Sequence, residues 1–325
     1  MLVANLNNVT AQYGSQKVLK GVTFEISSED RLGLIGPNGS GKTTMLKILL
    51  GEDVPSEGGV HIATGVRIGY VPQYLEGGDD ELVMDWLIAE YVALEEELRR
   101  TEQAMAVAST DELDAAMESY QQARDKYDDA EADRRPDEAQ KVLDSLGLGG
   151  KEDQLIGTLS GGEKNVLSLA RALMNEPDFL ILDEPGNHLD FHGLAWLEEF
   201  LISFKGAVLI VSHNRHTLDR VATGILTLED GKVSRYLGGY SDYRATRLRE
   251  LLAQQADYAA NQKRLSQLEA LVKRLELTAR ARASKEAGRR LRSRRSQLAR
   301  EEKQAVEKPV SEVSAIGAEF KDGRT

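Results

Sequence analysis

The sequence predicts an α/β domain that carries a helical insertion and is followed by a long α-helical hairpin. Three observations predict it. A glycine-rich loop at residues 36–43 sits between an apolar run and a helix-forming stretch, the strand, loop and helix order that an α/β phosphate site requires. Apolar strand-like runs return between residues 155 and 240 with a helical stretch between them. Beyond residue 243, apolar side chains recur every seven positions.

The length of 325 residues suggests about two structural units at roughly 150 residues per domain. With 41% hydrophobic and 29% charged residues, the composition is that of a globular protein with a sizeable core, so wholesale disorder is excluded. No apolar run approaches the roughly 18 residues that cross a bilayer. The start, MLVANLNNVT, lacks the profile of a secretory signal, and the absence of cysteine excludes disulfides and thiolate metal sites, so a reducing cytoplasm is the expected location. The net charge of -12 conceals an asymmetry. Residues 1–243 carry 21 Lys and Arg against 42 Asp and Glu, whereas residues 244–325 carry 20 against 11. The basic end is the candidate for contact with a polyanion.

Taken in order, residues 1–75 read as short strands and turns. Leu32, Leu34 and Ile35 form a buried strand, and residues 44–50 form a helix closed by Gly51. Residues 79–140 hold 20 acidic and 6 basic residues, no glycine and a single proline, Pro136, and read as an acidic helical insertion. Leu82, Trp86, Ile88, Leu94 and Leu98 fit one helix face, and Met117, Tyr120 and Tyr127 another, so two antiparallel helices are expected. Residues 179–182 and 207–211 read as buried parallel strands, with a helix over 163–174 between them. Leu251, Tyr258, Leu265 and Val272, joined by Leu268 and Leu275, give a coiled-coil seam. A helix over 244–277 would extend about 50 Å, with a second helix from about 285 to 302 folding back on it. The expected boundaries are 1–243 for the α/β domain with its insertion at 79–140, 244–308 for the hairpin, and 309–325 for a flexible tail. The strand, loop and helix unit occurs once.

Gly36-Pro37-Asn38-Gly39-Ser40-Gly41-Lys42-Thr43 satisfies the phosphate-loop pattern in full, in the context that the pattern demands. Its glycines let backbone N–H groups converge on phosphate oxygens, with Asn38, Gly39, Ser40, Gly41 and Thr44 part of the cradle. Lys42 neutralises the β and γ phosphates, and Thr43 offers its hydroxyl to magnesium. Leu180-Ile181-Leu182-Asp183-Glu184 supplies the other half of such a site. Asp183 ends a buried strand where it can hold the same magnesium, and Glu184 lies where it can polarise the attacking water.

Leu159-Ser160-Gly161-Gly162-Glu163 resembles the signature motif of ATP-binding cassette (ABC) ATPases, and Asn187-His188-Leu189-Asp190 resembles their D-loop. The resemblance covers about residues 5–240. It implies that Tyr13 is the aromatic that stacks on adenine, Gln73 belongs to the Q-loop near magnesium, and His213 is the switch histidine. It also implies a head-to-tail pair of cassettes, in which Ser160, Gly161, Gly162 and Glu163 act on the partner's ATP. Residues 160–164 and Glu184-Pro185-Gly186-Asn187-His188-Leu189-Asp190 further resemble the ABC-F proteins, cassette pairs without membrane domains that act on ribosomes, and Tyr236 to Tyr243, YLGGYSDY, resembles the passage into their interdomain linker. The acidic insertion then corresponds to their arm. Two positions depart from the pattern: Gly186 replaces the usual threonine, and Asn214 the aspartate after the switch histidine.

Between Arg280 and Arg300 there are nine basic residues, Arg280, Arg282, Lys285, Arg289, Arg290, Arg292, Arg294, Arg295 and Arg300, against one acid, Glu286. A block of like charge seeks a counter-charge, and Arg289, Arg290, Arg292, Arg294 and Arg295 are the expected RNA contacts. The resemblance points this linker at transfer RNA. The resulting expectation is one half of an ABC-F translation factor, an ATPase that uses ATP and Mg2+. Its partners would be a second cassette, in the same longer chain or as a homodimer, and the ribosome with its rRNA and tRNA, with no membrane involved. The alternatives are the ATPase subunit of a transporter and an ATP-switched nucleic-acid clamp.

Overall fold

The computed structural model describes residues 1–75, 78–109, 111–187, 189–281 and 285–303, and describes side chains within these segments except at 278–288 and 302. The expected tail at 309–325 and the side chains of Arg280, Arg282, Lys285 and Glu286 therefore lie outside the described residues, as does His188. The chain divides into two compact units between Ser241 and Asp242.

The first unit opens with β1 (Leu2–Tyr13) and β2 (Gln16–Ser27), which pair antiparallel, and β4 (Glu57–Ile62) pairs with the other edge of β1. These strands are longer than the short elements expected, because Val3, Leu6, Val9, Leu19, Val22 and Ile26 supply a continuous buried face despite several register shifts. The main sheet has six strands in the order β5-β6-β7-β3-β8-β9. Its members are β3 (Arg31–Ile35), β5 (Ile68–Val71), β6 (Phe179–Asp183), β7 (Ala207–Val211), β8 (Gly224–Glu229) and β9 (Lys232–Leu237). The first five in that order run parallel, and β9 returns antiparallel. All five residues of β6 and of β7 are buried, as expected of strands covered on both faces. Helix α1 (Lys42–Leu50) follows β3 and ends at Gly51 in the left-handed conformation.

A helical subdomain stands between β5 and β6. It comprises α2 (Val83–Val107), α3 (Leu113–Asp129), α4 (Arg135–Ser145) and α5 (Gly161–Leu173). Helices α2 and α3 lie side by side, joined by Lys126 Nζ and Glu97 Oε1 at 3.2 Å. One expectation needs correction. A third helix, α4, begins within the insertion, and Pro136 sits in its first turn, where a proline loses no hydrogen bond. The inner part of α2 buries Val83, Trp86, Leu87 and Tyr91 in one cluster with Leu143, Ile156, Leu167 and Ala170. Tyr127 is buried as expected, but Met117 is 53% exposed, because the outer part of the arm is a two-helix layer with no third element to cover it.

Helices α6 (Phe191–Ser203) and α7 (Arg215–Val221) are clamped by Glu198, which is 1% exposed. Its carboxylate accepts from Thr217 Oγ1 at 2.9 Å and Arg220 Nη1 at 3.0 Å, with His216 Nδ1 at 3.2 Å. Glu198→Ala strands these donors beside a cavity and is expected to cost about 2–3 kcal/mol. Urea denaturation reads this loss, and a change below about 0.5 kcal/mol, the range of featureless surface sites, would contradict it.

The second unit is a helical hairpin of α8 (Tyr240–Ala281) and α9 (Lys285–Lys303). At 42 residues α8 extends about 63 Å, longer than expected. The helices run antiparallel, held by Arg264 Nη2 to Glu301 Oε1 at 2.5 Å and Arg295 Nη2 to Glu276 Oε1 at 2.6 Å. Leu251, Leu265 and Val272 are buried, and Tyr258, Leu268 and Leu275 partly so, which matches the sevenfold seam. Among the described residues no helix is long and apolar enough to cross a membrane.

Candidate nucleotide-binding site

Three parallel strands deliver the site at their carboxyl ends, where open α/β sheets bind ligands. The phosphate loop follows β3, Asp183 ends β6 with Glu184 next, and His213 follows β7. In the loop, Ser40 N donates to Pro37 O at 3.1 Å and Gly41 turns the chain into α1 with φ of +105°. Glycine is required there twice over, since a Cβ would also sit 2.6 Å from Val18 Cγ1. No side chain caps α1 and its first turn has no acid, so its leading N–H groups and positive dipole end face the loop. Lys42 Nζ donates to Gly36 O at 2.8 Å and Pro37 O at 3.2 Å.

Most of the expected residues converge on one cavity of about 620 Å³. Asn38, Gly39, Gly41, Lys42, Thr43 and Thr44 line its phosphate-loop wall. Tyr13, Gln73, Asp183, Glu184 and His213 line it as well. Ser40 does not line it; its Oγ is buried beneath the loop without a hydrogen-bond partner.

The titratable groups of the cavity are shifted by one main cause. Burial pushes the carboxyls of Asp183 and Glu184 up and the Lys42 ammonium down, while their mutual attraction works in the opposite sense. Glu184 is further constrained. Its φ is +51°, unusual outside glycine, and its N–H donates to Val211 O at 2.9 Å. His213 N donates to Glu184 Oε2 at 3.3 Å, and His213 Nε2 stands 3.4 Å from Oε1, within ion-pair reach but not hydrogen-bonded. A buried and a largely buried carboxylate, a partly desolvated lysine and an uncapped helix start suit a magnesium-bound triphosphate. Thr43 and Asp183, with Gln73, would hold the cation, and the orphaned Ser40 Oγ and Glu184 Oε1 mark polar capacity that the protein alone leaves unused.

The structure adds residues that sequence reasoning did not single out for the site. Asp53, in the turn after α1, accepts from the Tyr13 hydroxyl and so fixes a ring that is 52% exposed. Asn187, within the D-loop stretch, lines the cavity, and its carbonyl accepts from Asn165 Nδ2. Asn214 caps α7 through Oδ1, which accepts from His216 N and Thr217 N, so this departure from the family pattern keeps the helix start that follows His213. At Gly186 a side chain would meet Leu194 Cδ1 at 3.2 Å, a contact requiring only a small shift.

Ser160, Gly161, Gly162 and Glu163 do not line the cavity; they form the start of α5, with Ser160 and Gly161 exposed and Gly162 and Glu163 half-buried. Ser160 caps the helix, with Glu163 Oε2 accepting from Ser160 N at 2.8 Å and Ser160 Oγ at 2.8 Å. Oε1 pairs with Lys151 Nζ at 2.5 Å. Lys151 first, and then the Ser160 donors, hold the Glu163 carboxyl at about 2 against 4.5 for a free glutamate. A depressed folded value means that stability from this cap is present above pH 4.5 and is lost as pH falls toward 2. The stability difference between the unaltered chain and Glu163→Gln is therefore expected to shrink between about pH 4.5 and 2 in urea titrations at stepped pH. A difference constant over that window would contradict the assignment.

Arg289, Arg290, Arg292, Arg294 and Arg295 lie exposed on α9. Arg295 is engaged by Glu276 across the hairpin, and Arg294 Nη1 donates to Gln297 Oε1 at 2.5 Å.

The fold and the cavity define an ATP-binding cassette domain. A family model described as "ABC transporter" matches residues 19–187, and a second of the same description, for an extension of that domain, matches 226–316. The chain belongs to the ABC-F family of ATP-binding cassette proteins. It is 40% identical over 262 residues to the tylosin resistance ATP-binding protein TlrC of Streptomyces fradiae, covering 78% of this chain and 47% of that protein. It is 33% identical to the energy-dependent translational throttle protein EttA of Mycobacterium tuberculosis (82% and 47%), and 29% identical to ABC transporter F family member 2 of Arabidopsis thaliana (94% and 45%). The chain thus spans about half the length of these relatives. Among solved structures, a nucleotide-free ATP-binding cassette from an ABC transporter superposes with a TM-score of 0.57 at 20% identity, over 75% of this chain and 94% of that one, a likeness of fold.

Proposed function

We propose that this chain is the ATP-binding and ATP-hydrolysing half of a cytoplasmic ABC-F translation factor that acts on the ribosome near tRNA. The observation that carries the reading is the single cavity in which the phosphate loop, Asp183, Glu184 and His213 meet. ATP enters with its base on Tyr13 and its phosphates on the start of α1 and Lys42. Bound magnesium supplies charge neutralisation of the β and γ phosphates. Glu184, raised by burial toward the working pH, accepts a proton from water as its oxygen bonds to the γ phosphorus. The bond from that phosphorus to the β-γ bridging oxygen breaks, leaving ADP and inorganic phosphate, with His213 placed to sense the γ phosphate.

The signature stands outside its own cavity, which supports pairing in which the α5 start of one cassette completes the site of another, in a longer chain or in a homodimer. ATP closes the pair because its charge needs donors from both sides, and hydrolysis reopens it. The arm at 79–140 and the hairpin at 244–308 transmit that closure to ribosome-bound tRNA, with the α9 arginines on RNA phosphates. The similarity to a translational throttle protein supports the ribosomal target.

The deciding experiment is co-sedimentation of Glu184→Gln protein with ribosomes and with membranes. Retention on ribosomes that requires ATP is expected; retention on membranes would support a transporter subunit and defeat this reading. Neutralising Arg289, Arg290, Arg292, Arg294 and Arg295 is expected to weaken ribosome binding and flatten its salt dependence, by a slope of about 0.7–0.9 per lost phosphate contact, and an unchanged slope would remove the arginines from the interface.

A further inference from the structure

Two helix starts in this protein are assigned to the same triphosphate chemistry, yet they differ in charge. The first turn of α1 has no acid, whereas the first turn of α5 contains Glu163, ionised at any physiological pH. A bare carboxylate there would repel an approaching polyphosphate. At a separation of about 6 Å and an effective dielectric of about 20, one such charge weakens anion binding on the order of tenfold to a hundredfold.

Lys151 offsets that charge. Its Nζ is 2.5 Å from Glu163 Oε1, and the two side chains are only 29% and 34% exposed, so the pair presents little net charge. The other Glu163 oxygen is filled by Ser160 N and Oγ, which turns the carboxylate back into its own cap. A second pair, Lys164 Nζ to Asp79 Oδ1 at 2.7 Å, holds the same turn from the other side. Asp79 precedes α2 and Lys151 follows α4, so both roots of the arm reach the first turn of α5. The backbone ties those roots together: Val83 N donates to Gln154 O, Met84 N to Glu152 O, Ile156 N to Glu81 O and Gly157 N to Asp79 O, all at 2.9–3.0 Å.

We propose that Lys151 is a positioning residue of the signature motif, cancelling the Glu163 charge so that the α5 start can receive the terminal phosphate of a nucleoside triphosphate held by a second copy of this cassette. The inference rests on the paired-cassette reading above. Through the root bonds, it also couples the placement of the arm to the charge that the signature offers a nucleotide. Partial exposure discounts the stability that the Lys151–Glu163 pair contributes to the fold, and its effect on pairing is separate from that contribution.

Sedimentation velocity with ATP and Mg2+ tests this in Glu184→Gln protein, which holds ATP unhydrolysed. Adding Lys151→Met is expected to weaken nucleotide-dependent dimerisation at least tenfold, and Lys151→Arg to keep it within about threefold. Combining Lys151→Met with Glu163→Gln is expected to restore dimerisation to within a few-fold, since glutamine keeps the cap and carries no charge. Dimerisation unaffected by Lys151→Met would overturn the proposal, as would a double variant no better than Lys151→Met alone. If the Glu184→Gln parent stays monomeric with ATP, the paired-cassette reading fails and this inference with it, a result distinct from a parent that pairs and a Lys151 variant that pairs equally well.

Discussion

Glu184→Gln is expected to lower ATP turnover by about 10²–10⁴-fold, the usual contribution of a positioned general base, while leaving ATP binding intact. The separation follows from geometry. Glutamine preserves an oxygen to accept from His213 N and fits the same backbone turn, but it cannot take the proton of the attacking water. Burial is the first cause raising the Glu184 carboxyl, and the resulting basicity makes it a better proton acceptor than an exposed glutamate. Turnover in the unaltered chain should accordingly rise with pH through that raised value, and the rise should vanish in the variant. Phosphate release measured across pH with an isolated or paired chain provides the check. A variant that keeps more than a tenth of the original rate would assign water activation elsewhere.

Lys42→Met is expected to weaken ATP binding by about 2–5 kcal/mol, from roughly thirtyfold to several thousandfold, the range for removing one partner of a buried charge pair. Lys42 attracts both Asp183 and Glu184, and its loss leaves the cavity more acidic where phosphates must lie. The helix start of α1 remains, so residual binding by backbone N–H groups sets the upper part of that range. Competition with a fluorescent nucleotide reads the change. Affinity altered less than threefold would show that Lys42 serves the loop through Gly36 and Pro37 rather than the ligand.

The phosphate loop, β6 and β7 were legible because each is written locally: fixed glycine spacing in the first, and uninterrupted apolar runs in strands buried on both faces. The hairpin was legible for a similar reason, since Leu251, Tyr258, Leu265 and Val272 repeat every seven positions. What the sequence hid depends on approach in space. Asp53 meets Tyr13 across 40 positions, and Glu198 meets Arg220 across 22, with no spacing rule to join either pair. Lys151 reads as one charge in a polar loop until the fold sets it against Glu163. Pro136 was ambiguous because proline both interrupts helices and begins them, and only the placement of α4 decides between the two.

Titration calorimetry of the chain with ATP and Mg2+, using Lys42→Met protein as the blank, bears most directly on the claim that the cavity between the phosphate loop and Glu184 is a nucleotide site. One ATP bound per chain, with the heat abolished or strongly weakened in the variant, is the predicted result. No saturable heat from the unaltered protein, or equal heat from the two, would contradict it.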